Sequence, residues 1–223
     1  MNLHVLTVAQ AIAGSVAMLL LLVQLAIFRS VVVSEVIRLY AVQSMLVAII
    51  CMAVGVTEHA WDLIALAGLT IVLKVFFLPT YMYSLVRTIS SRIELPTRVN
   101  VMLSLLIATA LIAFSMMVAS RLPLHVGAFL PQADLATTLS IVFVGFLVAI
   151  LRPNALAQVL AFLTIENGLF FGTITLAPGL PFVIGVLLLI DVLVAVAVFA
   201  TLVRTLVEQR ATATVEPFQR LSG

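Results

Sequence analysis

The sequence predicts an all-α integral membrane protein of about seven transmembrane helices. Of its 223 residues, 64% are hydrophobic and only 9% are charged, and the mean hydropathy of +1.33 is far above that of soluble domains. The apolar residues fall into seven runs, each near the roughly 20 residues needed to cross about 30 Å of hydrocarbon. Lys74, Glu166 and Asp191 lie near the middle of such runs, which marks them for separate attention.

The predicted spans leave short connections between them. These connections have no room for a soluble domain, a phosphate-binding loop or a nucleotide-binding fingerprint, so we expect no cofactor and no metal in this chain. Cys51 is the only cysteine and excludes an internal disulfide. Because the first four residues carry no Lys or Arg, we expect the first apolar run to remain as a helix. The spans cover about 5–28, 32–54, 61–88, 99–120, 134–151, 154–176 and 179–206.

The arginines predict the orientation of the helices. Basic residues concentrate in cytoplasmic connections, so the N-terminus is expected outside the cell and the C-terminus in the cytoplasm. With seven alternating spans, Arg121 lies on one side of the membrane, and the other side holds Arg29, Arg38, Arg87, Arg92, Arg98, Arg152, Arg204, Arg210 and Arg220.

The first three spans and the last three can be aligned as an internal repeat. Arg29 and Gln43 are fourteen residues apart, and so are Arg152 and Glu166; each arginine precedes a helix with a polar residue at its midpoint. Internal repeats of this kind are common in transport folds.

The third and seventh spans extend the repeat. Lys74 precedes Arg87 by thirteen residues, and Asp191 precedes Arg204 by the same interval. Four spans separate each residue from its counterpart, which predicts a parallel repeat, although apolar helices also align by accident. The predicted units are a first three-helix repeat at 1–98, a linking helix and loop at 99–133, and a second repeat with a cytoplasmic tail at 134–223.

Lys74 is the most unusual residue of the third span. A charged group at the bilayer centre costs roughly 2.5–3.5 kcal/mol and usually serves an ion or proton pathway. Thr70 and Tyr81 are expected on roughly the same face, and Pro79 is expected to bend the helix and free a carbonyl for water. Burial disfavours the charged form of lysine and so favours proton exchange. Alternatively, Lys74 pairs with a carboxylate of a neighbouring subunit.

Two carboxyl groups mark the second half. Glu166 lies in Thr164-Ile165-Glu166-Asn167-Gly168, where the glycine permits close approach of a helix or water. Asp191 stands in an aliphatic helix, so its polar partners must come from elsewhere. If the repeat is correct, the two carboxyls lie on adjacent helices and tend to share a proton. Alternatively, the two acids and Lys74 form a structural ion-pair cluster.

These segments resemble a known family. Leu73-Lys74-Val75-Phe76-Phe77-Leu78-Pro79, together with the segment around Glu166, resembles component E of hydrogenase-4 type formate hydrogenlyase complexes. The second half also resembles the K subunit of respiratory complex I, which carries a glutamate in each of two helices. Glu166 matches one of these glutamates, and Asp191 matches the other as a shorter substitute.

The resemblance implies a non-catalytic subunit in the bacterial cytoplasmic membrane. Its implied partners are antiporter-like membrane subunits, a peripheral arm with iron–sulfur clusters and a hydrogenase-like centre, and the lipid bilayer, with no nucleic acid. Glu166, Asp191, Lys74 and Gln43 are the implied relay or coupling residues for protons or another cation, and no catalytic residue is implied. Gln43 and Lys74 stand where the K pattern has carboxylates. The alternatives are a membrane scaffold without a proton path and a subunit of a multi-subunit cation antiporter.

Overall fold

The computed structural model describes the backbone of residues 3–89, 100–122, 131–176 and 190–205, together with Leu187 and Val207. The regular structure of these residues is helical. The helices are α1 (Leu3–Arg29), α2 (Val33–Thr57), α3 (Trp61–Thr70), a π-helical segment (Ile71–Phe77), α4 (Leu78–Ile89), α5 (Val101–Arg121), α6 (Pro131–Leu151) and α7 (Ala155–Leu176). A further helix, α8, covers 190–205.

Six helices in the described part of the chain are long and apolar enough to cross a membrane. One of them is continuous from α3 through the π-helical segment into α4, and we call this helix the third span. An all-helical architecture with six helices suited to crossing a membrane is therefore confirmed for the described residues. The predicted seventh span at 179–206 lies partly outside the described residues, and its described residues, Leu187 and 190–205, are helical. The count of seven stays a prediction.

Four helices form the centre of the bundle. α1 packs against α2 and α6, and α2 and α6 each pack against α7. The third span covers the outer side of α2, and α5 covers α6. Buried residues of α8 join the cluster that α2, α4 and α7 form, so α8 lies beside α7.

Glycines bring α6 and α7 into close contact. A Cβ atom at Gly168 would lie 2.7 Å from Cγ2 of Ile141, and one at Gly172 would lie 2.6 Å from the Thr138 hydroxyl oxygen. Small residues at such positions let two helix backbones approach closely. Because burial of apolar side chains gains little in lipid, membrane helices associate largely through such close packing. The predicted close approach at Gly168 is thereby confirmed, with α6 as the neighbour.

The third span is buried at positions four residues apart. Thr70, Lys74, Leu78, Met82 and Val86 are all buried. In an α-helix of 3.6 residues per turn, a spacing of four drifts around the helix axis. The π-helical segment, with its i→i+5 hydrogen bonds, has more residues per turn and removes part of that drift. The wider turn therefore keeps these side chains facing the bundle.

Pro79 is buried and is the second residue of α4, just beyond the π-helical segment. Because proline has no N–H, it cannot donate the hydrogen bond that a continuing helix requires. The distortion next to it takes the form of the wider π-helical turn. Tyr81 does not share the inward face of Lys74, contrary to the helical expectation. It stacks on Phe77 and lines an outward groove, because the extra residue in the wider turn rotates α4 relative to α3.

Two apolar clusters divide the interior into layers. One contains Leu20, Val54 and Phe171, and the other contains Ile27, Val33 and Phe199. Polar side chains lie between them, most of them near the helix midpoints and Gln24 closer to the end of α1. The buried members of this layer include Gln24, Gln43, Ser44, Thr70, Lys74, Thr164 and Asn167. The fold therefore places a polar layer between the two apolar clusters, partway along the membrane-spanning helices.

Candidate functional site

Lys74 and Glu166 form an ion pair within this chain. The Lys74 ammonium, from the middle of the π-helical segment, contacts Oε1 of Glu166 in α7. The Lys74 side chain is fully buried, whereas that of Glu166 is 20% exposed. Lys74 therefore has a carboxylate partner in its own chain. This contact holds the third span and α7 at a common depth, as expected for an ion pair that sets helix register.

The Lys74 ammonium makes two further contacts with α7. It donates a hydrogen bond of 3.3 Å to Oδ1 of Asn167 and lies 5.6 Å from the centroid of the Phe170 ring. An aromatic face attracts a nearby cation, most strongly where water is excluded. Three residues of one helix thus surround the ammonium, which stabilises its charge in an apolar setting.

Asn167 links Lys74 to a chain of buried amides. Its Nδ2 donates to Oγ of Ser44 at 2.9 Å and to Oε1 of Gln43 at 3.3 Å. Nε2 of Gln43 then donates to Oε1 of Gln24 at 2.9 Å. Every link donates in the same direction, away from Lys74. Such aligned dipoles point oxygen atoms toward the ammonium and polarise one another.

Asp191 reaches the same place from α8. It lines a groove of about 200 Å³ together with Glu166, Phe162 and apolar residues of α7 and α8. The carboxyl groups of Glu166 and Asp191 are close enough for a hydrogen bond when one of them is protonated. Two neighbouring carboxyls with one cation are well suited to holding and releasing a single proton.

The groove opens onto the outer surface of the α7–α8 pair. Its other walls are Val159, Leu163, Val194, Ala195 and Val198. The carboxyl pair is therefore approached from the side of the bundle at mid-depth, through an apolar mouth. Oε2 of Glu166 is buried and has no hydrogen-bond donor among the described residues.

Tyr40 is a further polar residue near the pair. Its side chain is fully buried in α2, and its hydroxyl lies beside Ser44 and within electrostatic range of Glu166 and Asp191. The hydroxyl nevertheless has no partner in hydrogen-bonding geometry within the part of the chain that the structure describes. Nε2 of Gln24 is buried in the same condition.

The structure brings the four predicted relay residues together. Lys74 contacts Glu166, Asp191 lines the same groove as Glu166, and Gln43 joins them through Asn167. Sequence reasoning missed the roles of Gln24, Tyr40, Ser44 and Asn167. Their signal is weak, because a neutral polar residue in an apolar span is far less costly than a charge.

Arg152 contacts the other predicted repeat at the arginine-rich end. Its guanidinium, 2% exposed, donates a 2.7 Å hydrogen bond to the backbone carbonyl of Phe28 at the end of α1. Burial lowers the pKa of Arg152 from its usual value, but arginine is so basic that it stays charged. A cation at a helix C-terminus satisfies an unpaired carbonyl and the helix dipole. Arg152 is thus explained as a cap.

No family model, curated protein or solved structure matches this chain. The geometry of the site and the motifs of the sequence therefore carry the functional interpretation.

Proposed function

We propose that this chain is a non-catalytic membrane subunit of a hydrogenase-4 or complex I-like redox complex, where it takes part in moving protons or another cation. One observation carries the proposal: a buried lysine paired with one of two adjacent carboxyl groups at the midpoint of the membrane-spanning helices. Ionisable groups are expensive at that depth and usually serve ion or proton pathways.

The proposed roles follow from the charges. Glu166 and Asp191 hold and pass a proton, and Lys74 sets how strongly they hold it. While the ammonium is beside Glu166, the carboxylate form is favoured; when it withdraws, the pair gains affinity for a proton. Lys74 lies in a π-helical segment, and a change of this segment to α-helical geometry is the proposed way in which the ammonium withdraws from Glu166.

The proposal includes seven spans and a parallel repeat. Three contacts support equal depth of the two halves: Ser44 with Asn167, Gln43 with Asn167, and Phe28 with Arg152. These pairs are separated by 123, 124 and 124 residues. The interval matches the one between Arg29 and Arg152, which are equivalent positions of the predicted repeat. The arginine-rich end is proposed as the cytoplasmic side, with the N-terminus outside, in a bacterial cytoplasmic membrane.

The partners remain part of the proposal. The proposed partners are antiporter-like membrane subunits and a peripheral iron–sulfur, hydrogenase-like arm, and the arm would supply the redox energy. The lateral groove supports contact with a neighbour in the membrane plane, because the carboxyl pair is reached from the side of the bundle.

Proton pumping by the reconstituted complex tests the function. We expect Asp191→Asn and Lys74→Ala to reduce pumping while the complex still assembles, and the exposed Glu58→Gln to leave it unchanged. Normal coupling in assembled Asp191→Asn and Lys74→Ala complexes would exclude the proposed roles.

A scaffold without a proton path is the second candidate. The Lys74–Glu166 pair favours it, since that contact also joins the third span to α7. A scaffold predicts that Lys74→Ala prevents recovery of the complex by affinity purification. Recovery of an intact complex with lost pumping distinguishes the relay from the scaffold.

A further inference from the structure

Two unpaired polar groups lie on one side of the residues that Lys74 joins, namely Glu166, Asn167 and Gln43, which we call the Lys74 cluster. The Tyr40 hydroxyl and Nε2 of Gln24 are both buried, at 0% and 1% side-chain exposure for their residues, and neither has a hydrogen-bond partner among the residues described. Buried tyrosine hydroxyls and amide N–H groups are nearly always paired, with protein or with ordered water. Leaving either one dry is costly.

The two groups belong to one region of the interface between α1 and α2. Gln24 bonds to Gln43, and Tyr40 lies one helical turn before Gln43 on α2. The Tyr40 hydroxyl is beside Ser44, whose oxygen accepts from Asn167. An amide donor and two hydroxyls therefore lie within about one helical turn of Gln43, and about three polar partners are what a buried water usually takes.

The unpaired groups lie closer to the arginine-rich end of the bundle than Gln43 does. Tyr40 is seven residues beyond the start of α2 at Val33, or about 10 Å at 1.5 Å per residue, and Gln43 is about 15 Å beyond it. Gln24 is likewise near the end of α1, which finishes at Arg29. The unpaired groups thus lie between the Lys74 cluster and the arginine-rich end of the bundle.

We propose that ordered water occupies this region, bound by Gln24, Tyr40 and Ser44, and that it is the route by which protons from the arginine-rich side reach the carboxyl pair. The inference rests on the proposed function for its direction of transfer but not for the water itself. Amide groups conduct protons poorly, whereas water and a tyrosine hydroxyl both accept and donate. Tyr40 lies one turn before Ser44 on α2, and Ser44 connects through Asn167 to the Lys74–Glu166 pair, so the hydroxyl lies on the arginine-rich side of these contacts.

The sign of a stability change tests the water. Tyr40→Phe removes only the hydroxyl and keeps the buried ring. If the hydroxyl has a hydrogen-bond partner, the full chain in detergent loses that bond and its Tm falls; if the hydroxyl is dry, its removal relieves a penalty and Tm rises. Because Ser44 is beside the hydroxyl, a lower Tm shows a partner, and the infrared measurement identifies it as water. Tyr83→Phe is the matched control, because the Tyr83 hydroxyl donates to the Ser34 carbonyl at 2.7 Å and its loss lowers Tm.

Infrared spectra of the full chain in lipid provide the second measurement. Films hydrated with H₂¹⁸O and H₂¹⁶O differ in the O–H bands of buried water. We expect one such band to be lost in Tyr40→Phe and in Gln24→Leu and to be kept in Tyr83→Phe. A higher Tm for Tyr40→Phe, or a band that is unaffected by Tyr40→Phe, would overturn the inference.

The transport route has its own outcome. In the reconstituted complex, we expect Tyr40→Phe to slow proton uptake from the arginine-rich side and Tyr83→Phe to leave it unchanged. If Asp191→Asn stops pumping while Tyr40→Phe pumps normally, the proposed function stands and this route is wrong. If Asp191→Asn pumps normally, the function fails, and the Tm and infrared results still decide the water site.

Discussion

Mutual dependence of Lys74 and Glu166 can be measured with a double-mutant cycle. Lys74→Met removes the fully buried ammonium that pairs with Glu166. Removing one partner of a buried pair costs about 3–5 kcal/mol, because the remaining charge is uncompensated. Glu166→Met should cost less, because the Glu166 side chain is 20% exposed and Asp191 remains to offset the Lys74 charge.

The double variant decides the issue. Replacing both members of a buried pair by apolar residues of similar length is often nearly neutral. We therefore expect the Lys74→Met/Glu166→Met protein to be more stable than Lys74→Met alone, with a coupling energy of about 2 kcal/mol or more. The free energy of unfolding is measured in detergent micelles by titration with a denaturing detergent.

A second cycle at Glu35 and Arg38 is the control. Both side chains are exposed near the start of α2, and exposed charges of this kind couple by less than about 1 kcal/mol. Additivity of the Lys74 and Glu166 changes to within about 0.5 kcal/mol would refute the view that the two residues depend on each other.

Two further predictions concern the packing that holds the site. Gly168→Ala places a methyl group 2.7 Å from Ile141, so overpacking should lower the free energy of unfolding by about 1–3 kcal/mol. Gly68→Ala is the control, because open space surrounds Gly68, and it should be neutral or stabilising. Equal effects of the two changes in unfolding titrations would contradict the α6–α7 contact. Arg152→Met removes the charged donor to the carbonyl at the end of α1 and should lower the free energy of unfolding by about 1.5–3 kcal/mol. The control, Arg121→Met at an exposed position, should lower it by about 0.5 kcal/mol or less. A small loss for both variants would show that the Arg152 cap contributes little to stability.

The charged part of the site was predictable because charge is costly in lipid. Lys74, Glu166 and Asp191 each occupy an apolar run, and the least costly arrangement for all three is one shared location inside the protein. The structure places them together. The glycine next to Asn167 likewise predicted a close helix contact, which α6 supplies.

Other parts of the site could not be predicted with the same force. Asn167 and Ser44 are neutral, so nothing in the sequence demanded that they bond to each other. The rotation of Tyr81 away from Lys74 depends on a π-helical segment, and helical periodicity assumes 3.6 residues per turn throughout. The sequence sign of the π-helical segment is the four-residue spacing of the buried residues from Thr70 to Val86. This spacing is recognised only when the buried residues are known.

The π-helical segment has a consequence for how this helix tolerates length changes. A wide turn holds about one residue more than the α-helical turn it replaces. Deleting Val75 would therefore let the third span close into a regular helix while Leu66 before it and Met82 after it keep the faces they now present. Lys74 would be the residue displaced. The extra residue thus directs the Lys74 side chain toward α7, whereas the helix on either side of it would pack the same way without that residue.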